Sequence, residues 1–130
     1  MNFAIHQASQ QGGRKYNQDC VAYAYTSKAL LLVLADGMGG HAHGELAAQI
    51  AIKTFMNAFS DEAQPQVQEP EEFLSRVMRK AHDTIIEFAH DQKLLGNPGT
   101  TCVAALIQDD RVCWAHAGDS RVYFLRDNRV

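Results

Sequence analysis

The sequence predicts an α+β fold, in which an antiparallel sheet carries helices on one of its faces. Strand-like runs come first, two segments with helical spacing follow, and further strand-like runs come after them. Elements grouped in this way favour an antiparallel sheet, because parallel sheets require strands and helices to alternate. We expect one domain over residues 1–130, since that length with 46% hydrophobic residues is sufficient for a single core.

The first strand-like runs lie before residue 36. Residues 2–8 alternate apolar and polar side chains loosely, whereas residues 20–25 and 29–35 are rich in side chains that favour strands. Gly12 and Gly13 predict a turn between the first two runs. The run 29–35 is apolar on both faces, so we expect a buried strand that ends in a loop at Asp36.

Apolar stripes at helical spacing predict two helices. The first stripe lies within residues 46–59 and indicates a helix of about four turns. Pro70 suits the first turn of the second helix, which we expect to end at the breaker residues 96–99. The polar residues 60–69 between the helices are expected to form an exposed loop. The buried stripe of the second helix is predicted to comprise Phe73, Val77, Ala81, Ile85 and Phe88.

Three strand-like runs follow the helices, at residues 100–107, 112–117 and 121–125. The polar residues 108–111 predict a short hairpin connection between the first two of these runs.

Composition excludes several classes of protein. The formal net charge of −3 gives no basic footprint for nucleic acid. Three cysteines without a CxxC spacing favour free thiols in a reducing compartment over a disulfide framework. The N-terminus lacks the pattern of a signal peptide, and no apolar run approaches the roughly 20 residues that span a bilayer. We therefore expect a cytoplasmic protein without membrane association.

The sharpest chemical motif is DGMGGH, residues 36–41, directly after the buried strand. Carboxylate and carbonyl oxygens are the ligands that Mg²⁺ and Mn²⁺ prefer, and Asp36 with the carbonyl of Gly37 would provide both. The alternative is a glycine-rich turn in which Asp36 caps the following helix. The motif alone leaves both interpretations open.

Three weaker clusters accompany this motif. Arg14 lies in RKYNQD and has the side chain suited to clamp phosphate oxygens, although basic turn residues are usually only solvated. Asp19 in the same cluster could support a metal ion or its water. Residues 118–121, GDSR, also suit a tight hairpin turn, and residues 99–101, GTT, suit the start of a strand.

Four motifs, taken together and in order, resemble those of the type-2C, or PPM, protein phosphatases over residues 14–126. They are RKYNQD, DGMGGHxxGE, GTT and AGDSRVYFLR. The methionine after Asp-Gly is similar to the bacterial branch of that family. The resemblance implies an antiparallel β-sandwich with helices packed outside its sheets, here incomplete, with two helices between the strand groups. It also implies Mn²⁺- or Mg²⁺-dependent hydrolysis of phosphoserine and phosphothreonine in proteins, opposing a serine/threonine kinase.

The resemblance assigns roles residue by residue. Asp36 matches the carboxylate that bridges two metal ions, and Gly37 matches the residue whose carbonyl binds one of them. Asp19 matches the acidic residue that supports the metal-bound water. Arg14 matches the phosphate-binding arginine, and Asp119 matches an aspartate that helps to hold a third ion. The implied reaction is in-line attack on phosphorus by a metal-bound hydroxide.

Two departures from the family pattern qualify these expectations. Met38 occupies the position at which eukaryotic relatives commonly have a histidine proton donor, and neither His41 nor His43 is assigned that role. The family also uses later aspartates in motifs that do not occur in residues 1–130. We therefore interpret the chain as the N-terminal part of a catalytic domain that is inactive alone. The alternative is a non-catalytic, phosphatase-like module that binds phosphorylated partners through Arg14 or serves in regulatory assembly. Glu45 is expected to act only as an early-helix charge.

Overall fold

The computed structural model describes residues 1–38, 42–94 and 96–130. These residues form one antiparallel sheet and two helices, which confirms the α+β class. The elements in chain order are β1 (Asp19–Tyr25), β2 (Ala29–Met38), α1 (Ala42–Glu62), α2 (Pro70–Asp91), β3 (Gly99–Thr100), β4 (Cys102–Gln108) and β5 (Arg111–Ala117).

Strand β2 is the centre of the sheet. The spatial order is β1-β2-β4-β5, and the short β3 also pairs with β2. Leu34 in β2 lies opposite Val103 in β4, and Gly37 lies opposite Thr100 in β3. The residues of β3 and β4 therefore pair with β2 in a single register. Thr101, which lies between β3 and β4, is the one residue that interrupts it.

One face of the sheet packs on the helices. Alternate residues of β2 point to that face, and Leu31 and Ala35 are completely buried there. Phe55 from α1 and Phe73 from α2 fill the space above them and are 0% and 1% exposed. Burial of two phenylalanine side chains stabilises the fold by about 1.5–3 kcal/mol each relative to exposure. The core therefore lies between the sheet and the two helices.

The connection between the helices differs from the predicted exposed loop. Helix α1 extends through Glu62, and the short connection after it contains the buried Ala63 and Val67. The buried amide of Gln108 accepts a hydrogen bond from the backbone N–H of Val67 (3.1 Å) and donates one to its carbonyl (2.8 Å). Glu62 is also paired with Arg76 of α2. These tertiary contacts order a segment that is polar in sequence.

The hairpin between β4 and β5 forms as predicted. Asp109 and Asp110 connect the strands with φ values of 52° and 57°. Two consecutive positive φ values are the geometry of the tight hairpin turn that matches the twist of its strands. The predicted start of α2 at Pro70 is confirmed as well.

Two predicted strands are wrong. Within the described residues, 2–8 and 121–125 pair with no strand, and the only isolated bridge nearby joins Arg126 to Arg129. Instead, residues 5–8 of the first segment and Arg121 and Val122 of the second line a groove of about 370 Å³ on the face of the sheet that is opposite the helices. A strand needs a neighbour for its backbone N–H and C=O groups, and no described strand provides one here.

The face of the sheet opposite the helices is apolar and partly open; we call it the outer face. Tyr23, Leu32, Ala105 and Trp114 form one row across the four long strands of this face. Tyr23 is 39% exposed and Trp114 is 54% exposed. In a β-sandwich a second sheet would cover such a row, and the described residues form only the first sheet. Neither described helix is long and apolar enough to cross a bilayer.

Candidate functional site

Two carboxylates face each other at one end of the sheet. Asp19 is the first residue of β1 and lies directly opposite Asp36 near the end of β2. Both side chains line a pocket of about 460 Å³ that also contains Arg14 and Met38. The antiparallel register therefore brings together residues that are 17 positions apart in the sequence.

The environment of Asp36 disfavours its negative charge. Burial raises the pKa of Asp36, and a hydrogen bond from its protonated form to Asp19 raises it further. The negative charges of Asp19 and Asp119 act in the same direction, and the positive charge of Arg14 opposes them. Carboxylates held together in this way are the hard oxygen donors that a divalent cation prefers. The donor chemistry therefore fits Mg²⁺ or Mn²⁺, although the described residues contain no cluster of three or more His, Cys, Asp or Glu side chains placed for a metal ion.

The backbone at Gly37 is tightly enclosed. Its N–H donates a hydrogen bond to the carbonyl of Gln18 (3.0 Å), and a Cβ atom at Gly37 would overlap the carbonyl oxygen of Gly44 in α1. Only glycine allows the end of β2 to approach the first turn of α1 this closely. The predicted loop at Asp36 is wrong, because pairing with β1 and β3 extends β2 as far as Met38.

Arg14 lies in a turn that borders the same pocket. The side-chain amide of Gln11 donates hydrogen bonds to the carbonyls of Arg14 (2.6 Å) and Lys15 (3.1 Å). Asn17 Oδ1 accepts a hydrogen bond from the N–H of Asp19 (3.1 Å), so the next residues are held as well. Neither Gln11 nor Asn17 was predicted from the sequence to contribute to the site. Their signal was a pair of amide side chains flanking a turn, where such groups commonly bond to nearby backbone.

Asp119 approaches the pocket from the segment after β5. Gly118 has a φ of 97°, and a Cβ atom there would lie 2.7 Å from Cγ2 of Thr101. The hydroxyls of Ser120 and Thr101 lie 2.6 Å apart. Asp119 itself is exposed, and its charge contributes to the raised pKa of Asp36. The structure thus brings all five predicted site positions to one end of the sheet.

The histidines near the glycine motif remain without an assigned role. His41 lies outside the described residues. His43 is in the first turn of α1, and its Nδ1 atom is buried without a hydrogen-bond partner in the described part of the chain. Met38 is 52% exposed and lines the pocket. Glu45 lies in the first turn of α1, where an early-helix charge was expected, and accepts a hydrogen bond from Gln49 (3.1 Å).

The cysteines are free, as predicted, and burial disfavours the thiolate form of two of them. Burial raises the pKa of Cys102 to about 12. Burial also raises the pKa of Cys20, and the charges of Glu45 and Asp19 add to that effect. Because the thiolate is the reactive form, Cys20 is unsuited to nucleophilic attack although it follows Asp19 directly in β1.

Residues 7–130 match the family model described as Protein phosphatase 2C. The chain is 31% identical over 124 residues to the serine/threonine phosphatase stp of Listeria innocua, covering 95% of this chain and 46% of that protein. It is 38% identical over 117 residues to the serine/threonine protein phosphatase PstP of Mycobacterium tuberculosis, covering 90% of this chain and 21% of PstP. The chain thus spans less than half the length of these curated relatives.

Solved structures show the same similarity. The crystal structure of the Mycobacterium tuberculosis phosphatase PstP/Ppp matches with a TM-score of 0.73 at 36% identity, covering 88% of this chain and 46% of that one. The catalytic domain of PstP in complex with two manganese ions matches with a TM-score of 0.75 at 35% identity, covering 89% of this chain and 47% of that one. Sequence, fold and the arrangement of the motifs agree: the chain belongs to the protein phosphatase 2C family.

Proposed function

We propose that this chain is the N-terminal part of the catalytic domain of a bacterial-type serine/threonine phosphatase that uses Mn²⁺ or Mg²⁺. The observation that carries the proposal is the placement of Asp19 opposite Asp36 in one pocket with Arg14. Two repelling carboxylates next to a guanidinium suit a site that binds cations and a phosphoryl group together. The substrates would be phosphoserine and phosphothreonine proteins, whose kinases the enzyme would oppose in the cytoplasm.

The residues of the pocket divide into two roles. Asp36, Asp19, Asp119 and the carbonyl of Gly37 would hold the cations, two or three in a complete domain. When bound, these ions would supply the activation of water for attack on phosphorus. Arg14 would bind the non-bridging phosphoryl oxygens through its planar fork of N–H donors and so orient the substrate. Further cation ligands are expected from sequence beyond residues 1–130, because the described residues provide too few carboxylates for two ions.

Metal dependence tests this function in the full-length protein that carries the chain. We expect phosphoserine and phosphothreonine peptides to be hydrolysed when Mn²⁺ or Mg²⁺ is added, and EDTA to abolish release of phosphate. Readdition of Mn²⁺ should restore the rate. Turnover that survives exhaustive chelation would contradict the metal mechanism. A protein that binds phosphopeptides without hydrolysing them at any metal concentration would instead support the non-catalytic binding module.

Arg14→Ala is expected to weaken the use of phosphorylated substrates. The loss of a charged hydrogen-bonding partner costs about 1.5–3 kcal/mol, which corresponds to a decrease in kcat/KM of roughly 10- to 150-fold. Because Arg14 donates hydrogen bonds and binds no cation, the Mn²⁺ concentration for half-maximal activity should hardly change. Steady-state kinetics on one phosphopeptide at several Mn²⁺ concentrations measure both quantities.

The matched control is Arg79→Ala, which removes an exposed arginine on α2 far along the chain from the pocket. This variant should keep the kinetics of the wild-type protein. If Arg14→Ala raised the Mn²⁺ requirement and left substrate kinetics unchanged, the proposed role of Arg14 would be wrong.

A further inference from the structure

Thr101 interrupts the pairing of β2 at the position of Asp36. The strands β3 and β4 continue one register along β2, and Thr101 lies between them, opposite Asp36. The N–H of Thr101 donates a hydrogen bond to the carbonyl of Asp36 (2.9 Å), as in a regular ladder. The N–H of Asp36, however, donates to the side-chain Oγ1 of Thr101 (3.1 Å). At this one position a side chain replaces the backbone carbonyl as acceptor.

The carbonyl of Thr101 has a different partner. It accepts a hydrogen bond from the hydroxyl of the preceding Thr100 (2.8 Å). Thr101 is only 2% exposed, so solvent does not compete for its hydroxyl. The N–H of Asp36 has this hydroxyl as its acceptor in place of a backbone carbonyl, so the backbone position of Asp36 depends on Thr101.

The same side chain also contacts the segment that carries Asp119. On one side of Asp119, Ser120 Oγ lies 2.6 Å from Thr101 Oγ1. On the other side, Gly118 approaches the methyl group of Thr101 so closely that an added Cβ atom would lie 2.7 Å from it. A hydroxyl has one donor and two acceptor positions, so Thr101 Oγ1 can serve Asp36 and Ser120 at once.

We propose that Thr101 is a positioning residue that sets the placement of Asp36 relative to Asp119 through its hydroxyl group. The proposal rests on the proposed function, because it concerns two carboxylates assigned there to cation binding. Oxygen ligands of Mg²⁺ and Mn²⁺ must be held at short, nearly fixed distances. One hydroxyl that is hydrogen-bonded to the backbone of Asp36 and to the neighbour of Asp119 links the two carboxylates mechanically. Thr101 itself would touch neither substrate nor cation.

The test compares Thr101→Val with Thr101→Ser in the full-length protein. Valine keeps the shape of threonine but can neither accept from Asp36 N–H nor bond to Ser120, whereas serine keeps the hydroxyl. We expect Thr101→Val to bind Mn²⁺ roughly three- to tenfold more weakly, the range that one neutral hydrogen bond supplies, and Thr101→Ser to stay within about twofold of wild type. Electron paramagnetic resonance of free Mn²⁺ during a titration measures this binding without reference to turnover.

Two further variants sharpen the result. Thr54→Val removes a half-buried hydroxyl that donates a hydrogen bond within α1 to the carbonyl of Ile50 (2.7 Å), and this variant should bind Mn²⁺ like wild type. Ser120→Ala removes the second partner of Thr101 Oγ1 and should weaken Mn²⁺ binding in the same direction. The double variant, Thr101→Val with Ser120→Ala, should bind Mn²⁺ no more weakly than Thr101→Val alone, because both substitutions break the same hydrogen-bond network.

The outcomes separate this proposal from the function on which it rests. A wild-type protein that neither binds Mn²⁺ nor hydrolyses phosphopeptides would contradict the proposed function. If the wild-type protein is active and Thr101→Val binds Mn²⁺ with unchanged affinity, the positioning role is overturned and the proposed function is not. If circular dichroism showed that Thr101→Val does not fold, Ser120→Ala would decide, and wild-type Mn²⁺ affinity in that variant would overturn the proposal.

Discussion

Asp36→Asn in the full-length protein is expected to lose most of its phosphatase turnover, by roughly 100-fold or more, on the scale of removing a preorganised electrostatic group. Asparagine has nearly the same shape but no charge. The variant would therefore lose the negative charge expected to lie between two cations, while the pairing of β2 with β1 would remain. Phosphate release from a phosphothreonine peptide at saturating Mn²⁺ measures the loss, and the Mn²⁺ titration should shift to higher concentrations.

Asp83→Asn is the matched control for this change, because Asp83 is exposed on α2. The same chemical substitution there should leave turnover within about twofold of wild type, as surface changes usually do. A fully active Asp36→Asn protein would show that Asp36 is not the central carboxylate. Equal losses in both variants would indicate a general effect on folding.

Residues 1–130 expressed alone are expected to be inactive with Mn²⁺ and to aggregate. The pocket provides Asp36 and Asp19 with Asp119 nearby, and so few carboxylates leave the repulsion between two dications largely uncompensated. The outer face would also stay open, with Tyr25 at 62% and Trp114 at 54% exposure. Apolar patches of this kind mark surfaces that another layer covers or that associate.

The experiment compares residues 1–130 with the full-length protein side by side. Hydrolysis of p-nitrophenyl phosphate with Mn²⁺ measures activity, and thermal melting with light scattering measures stability and association. We expect no Mn²⁺-dependent rate and a broad transition for the short chain. A short chain with the full-length rate and a cooperative melt would refute the interpretation of residues 1–130 as part of a larger catalytic domain.

Local sequence patterns were sufficient for most elements of the fold. Strand β2 was predicted from its apolar run, and helix α2 from its apolar stripe and Pro70. The turn between β4 and β5 was predicted from its polar residues. The positions assigned to the site came from the resemblance of four ordered motifs to those of a known family. Short polar motifs like these indicate candidate chemistry without showing which of them meet in space.

Only the tertiary structure decided the remaining features. Residues 2–8 and 121–125 have strand-like composition, yet they are not strands because no described strand offers them backbone partners. Residues 60–62 joined α1, and the following segment is held by the buried Gln108, a contact 41 positions away that no local pattern encodes.

The sequence by itself determined which side chains are available for the site: the carboxylates Asp19, Asp36 and Asp119 and the guanidinium of Arg14. The tertiary structure decided that Asp19 faces Asp36 and that Thr101 contacts both Asp36 and the segment of Asp119. The reason is physical. The alternation of apolar residues restricts which face of a strand is buried. Which segments lie opposite one another depends on pairing and burial between residues distant in the chain, and no local pattern identifies that partner.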